Sequence, residues 1–272
     1  MKALYVDLDG TLLGPGGSLL ADVDGGTTLL GVRAVEACGR AGVEVVIASA
    51  RGSTGVAPIA RALGARSYVY EAGAAVVLDG EEHWLTGDLL PHEERGTVFA
   101  QIQETGAPAL LLEHFAGRLE EHTPWNVNRE VSHLLRGSVD AFEADALLAA
   151  HGHEGLRLID NGVLRSADDA GSEQVRAYHL VPAVVSKAAG VAFHQQARGY
   201  APQDCIAVGD SREDLGMAPS VGTFWLVANG LARDPAMGAA LRKHANVRVA
   251  EGAHGAGVYE AVVTTLALRG QA

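Results

Sequence analysis

Short apolar runs alternate with segments of helical spacing over the first eighty residues. "KALYVDL" (2–8) has the density of a buried strand and runs into a glycine-rich stretch, "GPGGSLLADVDGG" (14–26). "LLGVRAVEACGRAG" (29–42) carries helical spacing and a glycine stop, and "VEVVIAS" (43–49) is again dense and apolar. "GVAPIARALGA" (55–65) reads as a helix and "RSYVYE" (66–71) as a strand. Strands that are apolar throughout, separated by helices, predict a parallel sheet covered on both faces.

The pattern changes between residues 81 and 182, where strands are shorter and more amphipathic. "PHEERGTVFAQIQETG" (91–106) and "DAFEADALLAAHG" (140–152) read as helices. In "GLRLIDNGVLRS" (155–166), Asn161-Gly162 between two alternating segments predicts a two-residue hairpin. The parallel pattern then returns: "SKAAGVAFHQQARGY" (186–200) is helical, "DCIAVGD" (204–210) and "TFWLVAN" (223–229) are strand-like, and "GVYEAVVTTLAL" (257–268) is a closing helix. The expectation is an α/β chain. A Rossmann-like parallel-sheet core with helices on both faces, 1–80 and 183–272, is interrupted by an inserted α+β domain, 81–182.

Composition narrows the function. The 272 residues are 48% hydrophobic, enough for a sizeable core. The balance of 21 basic against 33 acidic residues, a formal charge of −12, opposes non-specific binding of nucleic acid. No apolar run reaches the roughly 18 residues of a spanning helix, and the N-terminus lacks a secretory pattern, so no membrane partner is expected. Cys38 and Cys205 lie far apart in apolar surroundings, which fits small core residues in a reducing compartment. A cytoplasmic protein is expected; monomer and homodimer remain equally open.

In open parallel sheets, ligand chemistry gathers at the carboxyl ends of the strands. The polar residues closing the apolar runs are Asp7, Asp9 and Thr11 after the first, and Ser49 and Arg51 after the second. Lys187 opens a helix after the insert, and Asp210 ends "CIAVGD" with Asp214 four residues on. Four carboxylates at one edge repel one another and any anionic substrate. A hard divalent cation such as Mg²⁺, which takes oxygen ligands, removes both problems. Ser49 and Lys187 suit phosphate oxygens. These are the parts of phosphoryl transfer through an aspartyl-phosphate, with the second carboxylate moving the proton.

"DLDGT", a Ser closing the second strand, an isolated Lys and "GDSRED" together resemble the four motifs of the haloacid dehalogenase superfamily. The long insert between Ser and Lys is where the α/β cap sits in its Cof-like branch, which includes mannosyl-phosphoglycerate, sucrose and trehalose phosphatases. "VANG" and "ANVRVAEGAHGAGVYEAV" are similar to that branch's closing elements. The resemblance implies that Asp7 is the nucleophile and a metal ligand. It makes Asp9 the acid/base residue, with its backbone carbonyl also at the metal. Thr11, Ser49 and Lys187 become phosphate-binding residues, and Lys187 also neutralises the nucleophile. Asp210 and Asp214 become Mg²⁺ ligands, and Arg51 and Asn229 substrate contacts. The implied activity is hydrolysis of a small phosphorylated metabolite, a sugar phosphate or phosphoglycerate-type ester. The alternatives are a sugar phosphomutase of the phosphomannomutase type and a non-catalytic phospho-acceptor module.

Three positions depart from the branch. Ala50 stands where Gly is usual, Ala72 where Asn is frequent, and Glu213 where Asn is common. Elsewhere "HGH" (151–153) lacks a third ligand for zinc, and "GPGGS" lacks the GKS/T of a P-loop and reads as a flap beside Asp7. Trp84, Trp125 and Trp225 fit packing as well as recognition.

Overall fold

Asp7 follows directly on a strand whose four residues are all buried. The computed structural model describes residues 1–164, 174–234 and 237–270. Its chain order begins β1 (Ala3–Val6), α1 (Leu30–Arg40), β2 (Glu44–Ala48), α2 (Ser53–Leu63), β3 (Ser67–Tyr70), β4 (Ala75–Leu78) and β5 (Glu81–Trp84). It continues with α3 (Val98–Glu104), α4 (Ala107–His114), β6 (Leu119–Glu121), β7 (His133–Gly137), α5 (Ala141–Ala150), β8 (Leu156–Val163) and β9 (Arg176–Pro182). The last stretch holds α6 (Lys187–Arg198), β10 (Cys205–Gly209), α7 (Arg212–Leu215), β11 (Thr223–Leu226), α8 (Ala228–Arg233), α9 (Met237–Leu241), β12 (Val247–Val249) and α10 (His254–Gly270). Two compact units result, one of Met1–His83 with Ser186–Ala272 and one of Trp84–Val185.

The first unit is built on an eight-stranded sheet in the order β12-β11-β10-β1-β2-β3-β4-β5. Pairing is parallel from β12 through to β3, and β4 adds antiparallel to β3. Leu4, Tyr5 and Val6, Val46, Ile47 and Ala48, and Ile206, Ala207 and Val208 are almost fully buried, so the central strands are apolar on both faces as covered parallel strands must be. Val6 is in register with Ile47 on one side and Val208 on the other. That register brings the carboxyl ends of β1, β2 and β10 side by side, and with them Asp7, Ser49 and Asp210.

Helix α6 re-enters this unit with Lys187 as its first residue, and the Ser186 hydroxyl caps it by accepting from the Ala189 N–H at 3.1 Å. The start of α6 is seated against the turn after β3. Gly73 there has φ +106, and a Cβ at that position would collide with the Ser186 carbonyl and come within 2.7 Å of the Lys187 nitrogen. The closing helix α10 packs against α1, and both cysteines are buried and unpaired.

The second unit is a four-stranded sheet, order β6-β7-β9-β8, antiparallel throughout, with α3, α4 and α5. Two expectations need correction here. The helix expected over 91–106 starts only at Val98. His92 and Gly96 instead exchange backbone hydrogen bonds of 3.0 and 2.8 Å in a tight turn with Gly96 at φ +73, and Thr97 caps the helix. Asn161-Gly162 is not a hairpin turn but lies within β8. The Asp160 carboxylate accepts from the Gly162 N–H at 2.9 Å, Gly162 takes φ +101, and the register slips between Asp160 and Val163. An Asp-Asn-Gly triplet makes a bulge by the same local bonding that makes a turn. β8 and β9 do pair antiparallel, but residues 165–173 between them, Ser166 among them, lie outside the described ones.

Candidate active site

At the shared edge of β1, β2 and β10 the ammonium of Lys187 is the centre of a buried ionic cluster. It lies 2.9 Å from Oδ1 of Asp7, 2.6 Å from Oδ1 of Asp214 and 3.1 Å from Oε2 of Glu213, and its side chain is 1% exposed. Asp7, Asp210 and Asp214 each present a carboxylate oxygen within 4.8 Å of the others. Among the described residues this is the one group of His, Cys, Asp and Glu side chains arranged to hold a metal ion.

Asp214 owes its place to a capping box at the start of α7. Its Oδ2 accepts from the N–H groups of Asp210 and Ser211 at 3.1 and 3.0 Å and from the Ser211 hydroxyl at 2.7 Å, which leaves Oδ1 for Lys187. Asp210 accepts from the Thr11 hydroxyl at 3.3 Å on Oδ1 and from Arg233 Nη1 at 2.6 Å on Oδ2. Thr11 thus supports the Asp210 side chain from the turn after β1, fully buried.

Asp9 stands apart from this cluster. Its carboxylate is half exposed and forms a two-pronged ion pair with Arg51, Nε to Oδ2 and Nη2 to Oδ1, both 2.6 Å. Ser49 is buried at the end of β2, its hydroxyl accepting from the Arg51 N–H at 3.2 Å. Asn229 is also buried. Its amide donates to the Gly10 carbonyl at 2.7 Å and accepts from the His254 N–H at 2.9 Å, so it ties the β1 turn to the start of α10. The His254 ring adds a second bond to that carbonyl, Nδ1 to Gly10 O at 2.9 Å.

Three members of this network were not anticipated as such. Glu213 was noted only as a departure, yet its carboxylate is buried, faces the Lys187 ammonium and accepts from the Lys187 N–H at 3.4 Å. Its signal was its place in "SRED", one residue before Asp214. Arg233 and His254 carried no signal, because only the fold brings α8 and α10 to the β1 turn.

The electrostatics follow from burial. Burial and the neighbouring Asp214 lift the Asp7 carboxyl well above the ordinary carboxylate range, against the pull of Lys187. Burial and Asp214 likewise push Asp210 up to about 6, opposed by Arg233 and Lys187, and burial raises Glu213. Burial works against the Lys187 charge, but Asp214, Asp7 and Glu213 outweigh it and hold the amine well above its usual value. Four buried carboxylates (Asp7, Asp210, Glu213, Asp214) face two cations (Lys187, Arg233), a formal surplus of two negative charges. A donor set of buried oxygens with that surplus fits a hard divalent cation.

Comparison with known proteins agrees with this geometry. A family model described as haloacid dehalogenase-like hydrolase matches residues 4–128. A phosphoglycolate phosphatase of Pyrobaculum neutrophilum is 30% identical over 266 residues, which span 96% of this chain and 94% of the relative. Among solved structures, the sucrose-phosphatase of Synechocystis superimposes with a TM-score of 0.62 at 15% identity, covering 97% of each chain. A Bacteroides thetaiotaomicron phosphatase of the same superfamily gives 0.64 at 17% identity, over 97% of this chain and 94% of the other. At these identities the structural likeness is one of fold. The chain therefore belongs to the haloacid dehalogenase-like hydrolases, as one of their Cof-like phosphatases.

Proposed function

We propose that this phosphatase is Mg²⁺-dependent and hydrolyses a small phosphorylated acid of the phosphoglycolate or phosphoglycerate type through an aspartyl-phosphate on Asp7. The observation that carries the mechanism is the Lys187 ammonium, 2.9 Å from Asp7 and 2.6 Å from Asp214. It joins the end of β1 to the turn after β10, with Asp210 beside them. The substrate class draws on the relative's name: a phosphoglycolate phosphatase shares 30% identity along nearly the whole chain. The unit Trp84–Val185 is assigned the choice of ester.

In the first half-reaction an Asp7 oxygen attacks phosphorus while the bond from phosphorus to the ester oxygen breaks, and Asp9 gives its proton to the departing alcohol. In the second, water attacks the phosphorus of the acyl phosphate, and Asp9 takes a proton from it. The bond to Asp7 breaks, so that inorganic phosphate leaves and the carboxylate is restored. Arg51 holds the Asp9 carboxylate in one orientation through two hydrogen bonds, and the oxygen that carries the proton to the departing alcohol has to come free of that pair. Lys187 holds the Asp7 side chain and offsets its charge, and Ser49 and Lys187 are the donors assigned to the phosphoryl oxygens. Asp7, Asp210 and Asp214 would hold the cation, with the Asp9 carbonyl as a further oxygen. When bound, it supplies two positive charges that keep Asp7 ionised and offset the charge on the phosphoryl oxygens.

The test is release of phosphate from a panel of phosphorylated acids and sugar phosphates, before and after chelation. Turnover should stop in excess chelator and return with added Mg²⁺, with the phosphorylated acids turned over best. Full activity in chelator would refute the metal requirement, and preference for a hexose phosphate would refute the acid class.

A further inference from the structure

Arg233 is the last residue of α8, and its guanidinium contacts Oδ2 of Asp210 at 2.6 Å. The approach is made possible by Gly10 at φ +86. A Cβ there would strike Asp210 Oδ2 and come within 2.8 Å of Arg233 Nη1. The Thr11 hydroxyl takes the other oxygen. Both oxygens of a carboxylate that belongs to the cation-binding group are therefore engaged by protein donors, one of them a full positive charge.

We propose that Arg233 is a built-in competitor of the divalent cation at Asp210. The guanidinium neutralises the carboxylate in the metal-free protein and has to let go when the cation arrives. The inference rests on the divalent-cation reading above. Its physics is simple: two cations on one carboxylate stand within a few ångströms, where like charges repel strongly at low dielectric. Asp210 itself has little freedom to avoid the choice, since its side chain is 6% exposed and stands at the end of a central strand. Arg233 has that freedom. Its side chain is 24% exposed, its Nε has no hydrogen-bond partner among the described residues, and it sits at the end of a short helix. Its neighbour Asp234 is already engaged by Arg212 through bonds of 2.5 and 2.7 Å and offers no ready second partner to the released guanidinium. The arrangement keeps a surplus of buried acidic groups tolerable without metal, at the expense of metal affinity.

The experiment is calorimetric titration of Mg²⁺ into the metal-free protein and into Arg233→Gln, with thermal melting of both in the presence and absence of Mg²⁺. Arg233→Gln should bind Mg²⁺ about fivefold more tightly, the scale of a partly exposed ion pair. It should melt lower than the parent without metal and gain more on saturation with it. Arg233→Lys keeps the charge but not the planar fork and should lie between the two, and it serves if the glutamine variant does not fold. Equal or weaker Mg²⁺ binding by a natively folded variant overturns the competition while leaving the metal centre in place. Absence of Mg²⁺ binding in every protein, parent included, overturns the metal centre itself and this inference with it.

Discussion

The ammonium of Lys187 lies 2.9 Å from Oδ1 of Asp7, although 180 positions separate the two residues. One comes from the first turn of a helix that follows the inserted unit and the other from the end of the first strand. Their contact closes the ionic cluster, and a charge removed from it does not have the same consequence at every position.

Asp214 and Glu213 are adjacent, both buried and both on Lys187, yet they should respond to neutralisation to very different extents. Asp214→Asn loses the shortest of the Lys187 ion pairs, and its single amide oxygen cannot serve both Lys187 and the three donors now on Oδ2, so it should cost about 3–5 kcal/mol. Glu213→Gln keeps an acceptor for the Lys187 N–H and removes a charge that burial disfavours, so it should change stability by less than about 1 kcal/mol. Urea unfolding of the two variants checks this; equal losses would show that Glu213 is an essential counter-ion.

Gly73→Ala tests how Lys187 is placed. The added methyl meets the Ser186 carbonyl, and φ +106 is itself strained for alanine, so either α6 shifts or the turn after β3 distorts. The variant should lose at least about 3 kcal/mol and most of its phosphatase activity. A stable, fully active Gly73→Ala would mean that the approach of these two segments does not position the lysine.

How much of this was legible before the fold was known depends on whether the cause is local. Asp7, Ser49 and Asp210 each end a dense apolar run. A parallel sheet aligns such ends, so their proximity followed from pattern alone. The Ser211–Asp214 capping box was also written locally, as S-x-x-D, though what Asp214 then holds was not. Glu213 on Lys187 and Arg233 on Asp210 depend on where α6 and α8 return to the sheet, and no spacing along the chain encodes that. The two misread segments were failures of local chemistry. Gly96-Thr97 starts a helix later than the apolar pattern implied, and Asp160-Asn161-Gly162 bonds into a bulge rather than a turn. Asn229, expected at the substrate, bonds the Gly10 carbonyl and the His254 N–H, two partners that spacing along the chain did not announce.

Glu44 gives the protein a predictable acid limb, away from the carboxylates of Asp7, Asp210 and Asp214. Burial pulls its carboxyl up, but hydrogen bonds from His194, Arg198 and Ser67 bring it down to about 2, against an ordinary value of 4.5. A depressed value means stability that is present above pH 4.5 and is lost as pH falls from there towards 2. Glu44→Gln should be less stable than the parent at neutral pH, and the gap should close across that window. Melting temperatures measured from pH 6 down to about 2 would decide it; a gap independent of pH would mean that the carboxylate charge is not what these donors stabilise.

The most direct measurement is release of inorganic phosphate from a generic aryl phosphate by Asp7→Asn beside the parent protein, with Mg²⁺ present and circular dichroism as the control for folding. If Asp7 is the nucleophile, the variant keeps its fold and loses at least about a thousandfold in turnover, since an amide oxygen cannot form the acyl phosphate. Turnover equal to that of the parent, in a folded Asp7→Asn, would contradict the aspartyl-phosphate mechanism.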